Sequence, residues 1–203
     1  MRRSRASAQL QQQLLIVVVA SCGPPHVFHK DPERACADVT LAGQEDVAAA
    51  AGCRELASVT LRTGMALELA ALGRLETIRG DLVVGPSVGF SELALPRLRQ
   101  VGAIRIVANG NLHGVFLPAL ERAASFEIDG NHALSSISAP KLAAIEGAFA
   151  ITHNASLEVL AVSALAQTGS TRVDGNPKLT LIESKLPGLV ATPASEVTPP
   201  PSE

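Results

Sequence analysis

The hydrophobic positions of this chain fall into columns. From Leu75 to Leu179 the same apolar and polar residues return every 22 or 23 positions. Ile106, Ile128, Ile151 and Val173 form one column. Asn109, Asn131, Asn154 and Asn176 form a second with the same steps, each with a leucine three residues later (Leu112, Leu134, Leu157, Leu179). Pro96, Pro118 and Pro140 form a third, each with a leucine two residues on. A fixed period of this size marks a stack of repeated units, each of which buries its apolar face only against its neighbours.

Within each unit the residues alternate. In Ile104-Arg105-Ile106, Phe126-Glu127-Ile128 and Phe149-Ala150-Ile151 the flanking side chains point inward and the middle one outward, the two-residue period of a strand. Strands are therefore predicted at 82–84, 104–106, 126–128, 149–151 and 171–173. The recurring Asn belongs at the bend after each strand, where its amide bonds backbone groups and stacks into an internal ladder. The Leu-Pro-x-Leu segment supplies a second inward-facing side, and its proline fixes the chain direction. The repeats that start at Leu75 and Leu142 carry one extra residue, which a stack absorbs as a bulge or a wider bend.

Ahead of the regular series, Val39–Leu41 and Val59–Leu61 read as strands. Residues 44–53, with Asp46 near the start and a run of alanines, read as a short helix, and residues 67–75 as a second. Counted from Leu41, the steps between rungs are 20, 23, 22, 22, 23 and 22, which gives seven rungs. The expected fold is a mainly β solenoid with one or two short helices near its N-terminal cap.

Composition narrows the picture. The chain has 203 residues, 47% of them hydrophobic but only 2% aromatic, with no Trp and no Tyr, so the core must be aliphatic. The formal net charge is −2, and about −5 once Arg2, Arg3 and Arg5 are set aside with a leader. No basic patch stands out, which argues against a nucleic-acid partner.

Residues 1–21 read as an export signal. Arg2, Arg3 and Arg5 give a positive start, and 14–20 form an apolar run too short for the roughly 20 residues that cross a bilayer. Val19-Ala20-Ser21-Cys22 resembles the bacterial lipobox, in which cleavage precedes a cysteine that carries lipid. The resemblance implies lipidation at Cys22 and a membrane as partner through that anchor. Gly23 stands where Asp would signal inner-membrane retention, so the expected location is exported and lipid-anchored to the bacterial cell envelope, leaning to the outer membrane. Residues 22–35 form a Pro-rich tether, and His26 and His29 in it lack the fixed geometry a metal needs. With Cys22 assigned to lipid, Cys36 and Cys53 remain as an even pair. A disulfide between them would close a loop of about 18 residues and contribute about 3 kcal/mol; two buried free thiols are the competing reading. Residues 36–186 make the repeat domain, and 187–203 form a Pro/Ser/Thr-rich tail expected to be disordered.

The repeat form Leu-x-x-Ile-x-Gly-x-Leu-x-Ile-x-x-Asn-x-x-Leu-x-x-Val-x-Leu-Pro-x-Leu resembles the receptor L-domain, a leucine-rich module of insulin- and EGF-type receptors and of fungal cell-surface proteins. The opening order is similar too: Cys36, the strand Val39–Leu41, Asp46 before a helix, Cys53, then Val59–Leu61. The resemblance spans about residues 36–182. It implies a right-handed β-helix with a disulfide-capped N-terminal end. The chain departs from the family in its scarcity of aromatics, in Val162-Ser163 where a Leu-Pro is expected, and in lacking the Cys-rich modules that flank receptor L-domains.

Candidate chemistry lies on the outward column Val83, Arg105, Glu127, Ala150 and Arg172 and on its neighbour, which contains Asp129 and Asp174. Arg105 and Glu127 should form a surface ion pair. Asp129 and Asp174 would stand two rungs apart, about 9–10 Å from the strand spacing, near the separation of paired carboxylates in inverting glycosidases. Both sit in Asp-Gly-Asn, where Asp is an ordinary turn residue. His113, His132 and His153 occupy different columns, so no metal site is expected, and no cofactor motif is present. The expectation is a non-catalytic binding or adhesion module, anchored to the membrane, that contacts an envelope protein or a glycan through Arg105, Glu127, Asp129, Arg172 and Asp174. A structural spacer is the alternative, and a carbohydrate-active β-helix enzyme is third. Oligomeric state is not assigned.

Overall fold

The computed structural model of the protein describes residues 36–189. Every named strand pairs in parallel. One sheet contains β1 (Val39–Leu41), β3 (Val59–Leu61), β5 (Leu82–Val84), β7 (Gln100–Val107), β9 (Arg122–Asp129), β11 (Ala144–Thr152) and β13 (Gln167–Asp174), stacked in that order, with β2 (Glu55–Leu56) and β4 (Thr77–Ile78) beside them. The second sheet runs β6 (Glu92–Ala94), β8 (Gly114–Phe116), β10 (Ser136–Ser138), β12 (Val159–Val162) and β14 (Leu181–Ser184). The chain alternates between the sheets as it winds, producing a right-handed solenoid of about seven rungs. The inward column Leu41, Leu61, Val84, Ile106, Ile128, Ile151 and Val173 is in register from first rung to last.

The core lies between the sheets and is aliphatic apart from a few phenylalanines. Phe126 and Phe149 stack at 5.8 Å between ring centroids, a pairing that contributes about 0.5–1.5 kcal/mol beyond the area it buries. Rungs are wider than three-residue strands. β7, β9, β11 and β13 run through a corner where Gly80, Gly102, Ala124, Gly147 and Gly169 follow one another. A Cβ on Gly102 would stand 2.6 Å from the Gly80 carbonyl oxygen, and one on Gly169 would stand 2.5 Å from that of Glu146. Stacked backbones approach too closely there for side chains. Both extra residues fall at this corner. In the Leu75 repeat the insertion separates β4 from β5; in the Leu142 repeat it shifts register inside β11 between Ile145 and Phe149.

The asparagine ladder forms. Asn131 and its equivalents lie inside the bend, 0–1% exposed for Asn109, Asn131 and Asn154. The Asn131 Oδ1 accepts from the backbone N–H and the Nδ2 of Asn109, at 3.0 and 2.9 Å. Asn154 does the same for Asn131, and Asn176 for Asn154. Each Nδ2 also reaches a carbonyl of the preceding rung: Val84, Ile106, Ile128 and Ile151 in turn. The ladder stops where Ser87 takes the Asn place opposite Asn109. The Asn109 Oδ1 has no partner among the described residues and rests against Gly85, whose φ of +104° and crowded Cβ position require glycine.

The two ends are finished differently. At the N-terminal end Cys36 and Cys53 form a disulfide, with Cα atoms 5.7 Å apart. Helix α1 (Gln44–Ala50) lies inside the loop it closes. Asp46 starts that helix by accepting the N–H groups of Ala42 and Gly43, both at 2.9 Å. Those bonds hold its carboxyl below the usual carboxylate range. At the other end two of the inward columns turn polar: Ile145 is followed by Thr168 and Phe149 by Thr171, and the two threonine hydroxyls bond each other at 2.8 Å. Residues 67–75 do not form the expected helix but a single 3-10 turn, Leu69–Leu72. Burial of Leu67, Leu69, Leu72 and Leu75 needs a tighter repeat than 3.6 residues, and Gly73 closes the turn.

The anchored placement requires correction. The expectation from the sequence was a membrane partner through a lipid at Cys22 and a location on the cell envelope. Cys22 lies outside the described residues. The two cysteines that are described, Cys36 and Cys53, are bonded to each other, so neither is a free thiol able to carry a lipid. The membrane partner and the lipid-anchored envelope location are withdrawn on that ground. No helix among the described residues is long and apolar enough to cross a membrane. The expected tether and most of the tail also fall outside the described residues.

Two stability outcomes follow from these contacts. Asn131→Ala strands the buried Ile106 carbonyl and Asn109 N–H of the preceding rung and breaks the side-chain bond to Asn154, and should cost about 3 kcal/mol. Asn111→Ala removes only an exposed bond to the Val88 carbonyl and should cost under about 1 kcal/mol; urea denaturation compares the two. Cys36→Ser/Cys53→Ser should lose about 3 kcal/mol in the same measurement.

Candidate functional site

Alternation along the strands builds the outer face of the larger sheet. Because inward residues are fixed by burial, every second residue is forced outward. Register then sets Thr40, Thr60, Val83, Arg105, Glu127, Ala150 and Arg172 in one column. Val107, Asp129, Thr152 and Asp174 form the next. All five residues expected to bind, Arg105, Glu127, Asp129, Arg172 and Asp174, are thus brought onto one face.

Each already has a partner within the chain. The Arg105 Nε donates to the Glu127 Oε2 at 3.3 Å. Both groups are substantially exposed, so the pair contributes about 0–1 kcal/mol. Ala150 separates Glu127 from Arg172, which pairs with Asp174 two residues along its own strand at 3.5 Å. The other Asp174 oxygen accepts the Gly175 N–H at 2.8 Å. On earlier rungs the equivalent N–H groups, of Ala108, Gly130 and His153, donate to a carbonyl of the following rung. The Asp174 carboxylate takes the place of that carbonyl on the last rung.

Asp129 is held most closely. Its Oδ1 accepts the Thr152 hydroxyl at 2.6 Å and bonds the His153 Nδ1 at 2.8 Å. These bonds, the Thr152 hydroxyl first, keep its carboxyl below the usual carboxylate range, and the charge of Arg172 adds to the effect. A general acid in glycoside hydrolysis needs the opposite shift. Asp129 is therefore suited to stay ionised and to fix His153, not to deliver a proton.

His153, expected to be a turn residue that holds no metal, bonds Asp129. It has φ of 53° in a column whose other members include Gly130 (66°) and Gly175 (67°). Ala108, in the same column, takes the same conformation (52°), so the bend itself sets the left-handed backbone, and the bond to Asp129 fixes the His153 imidazole. The available signal was its place directly before the ladder residue Asn154, where two of the other repeats carry Gly. His113 and His132 do not join it. Among the described residues no group of three or more His, Cys, Asp or Glu side chains is arranged to hold a metal.

A second concavity, of about 540 Å³, lies away from this face. It is bounded by β6 on one side and by residues 66–70, leading into the 3-10 turn, on the other. Comparison with protein-family models, with characterised proteins and with solved structures finds no match.

The Asp129 bonds have a pH signature. A carboxyl whose folded pKa is lowered stabilises the fold above its unfolded value, near 3.9, and loses that contribution as pH falls through the folded value. The stability difference between wild type and Asp129→Asn should therefore be constant above about pH 5 and shrink in more acid solution. Urea denaturation across pH 2–6 reads it.

Proposed function

We propose that the protein is a non-catalytic binding module that presents the outer face of its larger sheet to a polypeptide partner. The observation that carries this reading is the contrast between columns. The inward columns are nearly uniform and the outward column is not: valine, arginine, glutamate, alanine and arginine succeed one another in register from Val83 to Arg172. A rigid periodic core that displays an aperiodic row of side chains is the arrangement by which solenoids recognise partners. The resemblance to the receptor L-domain supports the same reading. Its opening order of cysteine, strand, helix, cysteine and strand coincides with a disulfide from Cys36 to Cys53 around β1 and α1.

A structural spacer is the second reading. Its support is the pairing just described: Arg105 with Glu127, Arg172 with Asp174 and Asp129 with His153 leave few charges unsatisfied on the face. The two readings separate in a selection from a displayed polypeptide library against the purified protein. The binding module should enrich a discrete set of sequences. Their affinity should fall about tenfold or more in an Arg105→Ala/Glu127→Ala/Arg172→Ala variant whose melting temperature is nearly unchanged, since rim charges of this kind add little to stability. A protein that enriches nothing is the spacer.

A further inference from the structure

The larger sheet has a strand on every rung, but the smaller begins only at β6. On the preceding rung the chain makes the 3-10 turn Leu69–Leu72 in place of a strand. β6 is therefore an edge strand, paired to β8 alone. The parity of its bonds shows which groups are free. Ser91 accepts from His113 and Gly114, and Leu95 donates to Phe116, so the odd-numbered residues face β8. The N–H and C=O groups of Glu92 and Ala94 point the other way. They face the cleft of about 540 Å³, within the range of ligand-binding cavities.

The cleft has an apolar floor and an acidic rim. Leu67, Leu69 and Phe90 line it and are buried. Glu68 and Glu92 stand exposed at its mouth, and neither has an ion-pair partner among the described residues. The far wall is fixed: the Gln44 side chain bonds the N–H and the carbonyl of Glu68, at 2.9 and 3.1 Å. The apolar surface continues outward. Among the described residues three large hydrophobic side chains are exposed, Met65, Val88 and Leu181. Two of them adjoin the cleft, because Gly89 packs on the Met65 backbone.

We infer that this cleft binds an extended polypeptide segment as an added parallel strand on β6, with a basic–apolar–basic sequence. The inference rests on the binding-module reading but assigns recognition to a different surface. An edge strand beside an open groove is the arrangement that strand addition uses: main-chain bonds supply affinity and alternate side chains supply selectivity. The residue opposite Leu93 continues the inward column and rests on the floor with Leu67 and Phe90. Its two neighbours point outward beside Glu68 and Glu92, where unpaired carboxylates favour lysine or arginine. Grooves between interior strands offer side chains only, because the backbone groups there are already paired on both sides.

The test uses the full chain and the peptide Thr-Lys-Ile-Arg-Thr, with Thr-Glu-Ile-Glu-Thr and Thr-Lys-Ser-Arg-Thr as controls. Amide hydrogen exchange and NMR titration follow the N–H groups of Glu92 and Ala94. In the free protein they should exchange rapidly, and the basic–apolar–basic peptide should slow them. The two controls should bind about tenfold more weakly or not at all. Glu68→Gln/Glu92→Gln should weaken binding by about tenfold and reduce its salt dependence. Ala70→Trp should block it by filling the cleft from the exposed wall. Unchanged exchange at Glu92 and Ala94, or equal binding of the acidic peptide, overturns the proposal. So does protection of those amides in the free chain, which would show that its own residues occupy the cleft. If library-selected partners respond to the Arg105→Ala/Glu127→Ala/Arg172→Ala variant while these amides do not respond, the strand site fails and the binding module stands. If neither responds, both fail.

Discussion

A parallel solenoid depends on satisfying the backbone at its bends, and here one amide per rung does so. Strand groups pair with the rungs on either side, but at each bend the chain turns inward and its carbonyls lose that partner. An uncompensated buried group there costs about 1–3 kcal/mol. Asn109, Asn131, Asn154 and Asn176 take those carbonyls and also bond one another. The ladder couples rungs through side chains as the sheets couple them through backbone. Because each Asn donates to a carbonyl of the preceding rung and, from Asn131 on, also accepts the Asn N–H of that rung, a slip of one residue would break several bonds together. Register, and with it the inward and outward sorting of every strand, is fixed by that constraint.

Much of this architecture was legible because its signals are periodic. Column spacing alone located the seven inward positions, the ladder and the extra residues before β5 and in β11. What the pattern could not convey is set by contacts between rungs. The corner that lengthens β7, β9, β11 and β13 comes from backbones stacking at Gly80, Gly102, Gly147 and Gly169, whose spacing resembles that of any turn glycine. In the stretch expected to be a helix at 67–75, the core beneath requires Leu67, Leu69, Leu72 and Leu75 to be buried together, which a 3-10 turn achieves and an α-helix does not. On the outer face the sequence identified the column but not its internal pairing. It placed Asp129 and Asp174 as a carboxylate pair, whereas Asp129 is bonded to His153 and Asp174 closes the last bend.

That difference bears on chemistry. Two carboxylates on one face acquire acid and base roles only when their environments push their pKa values apart. Asp129 is pushed down by hydrogen bonds from a neutral hydroxyl and an imidazole. Asp174 is occupied by a backbone N–H and by Arg172. These bonds serve the bend: they tie the fifth rung to the sixth and supply the carbonyl that an eighth rung would have offered. A residue that sequence spacing nominates for function is here accounted for by backbone satisfaction.

The same accounting gives β6 its interest. A stack of parallel strands ends in open edges, and proteins cover or disarm them because an exposed edge recruits other strands. The first strand of the larger sheet is shielded by α1 and by the disulfide from Cys36 to Cys53. The last rung is disarmed by threonines at inward positions and by Asp174 at the bend. The edge at β6 receives neither device. Its neighbour is a 3-10 turn that touches β6 without pairing with it; the stretch leading into that turn is tied to Gln44 through Glu68, and the gap beside it is floored by Leu67 and Phe90 where a cap would place polar groups. With β1 shielded and β13 disarmed, the open edge at β6, beside an apolar floor, points to a place kept for a strand supplied from elsewhere.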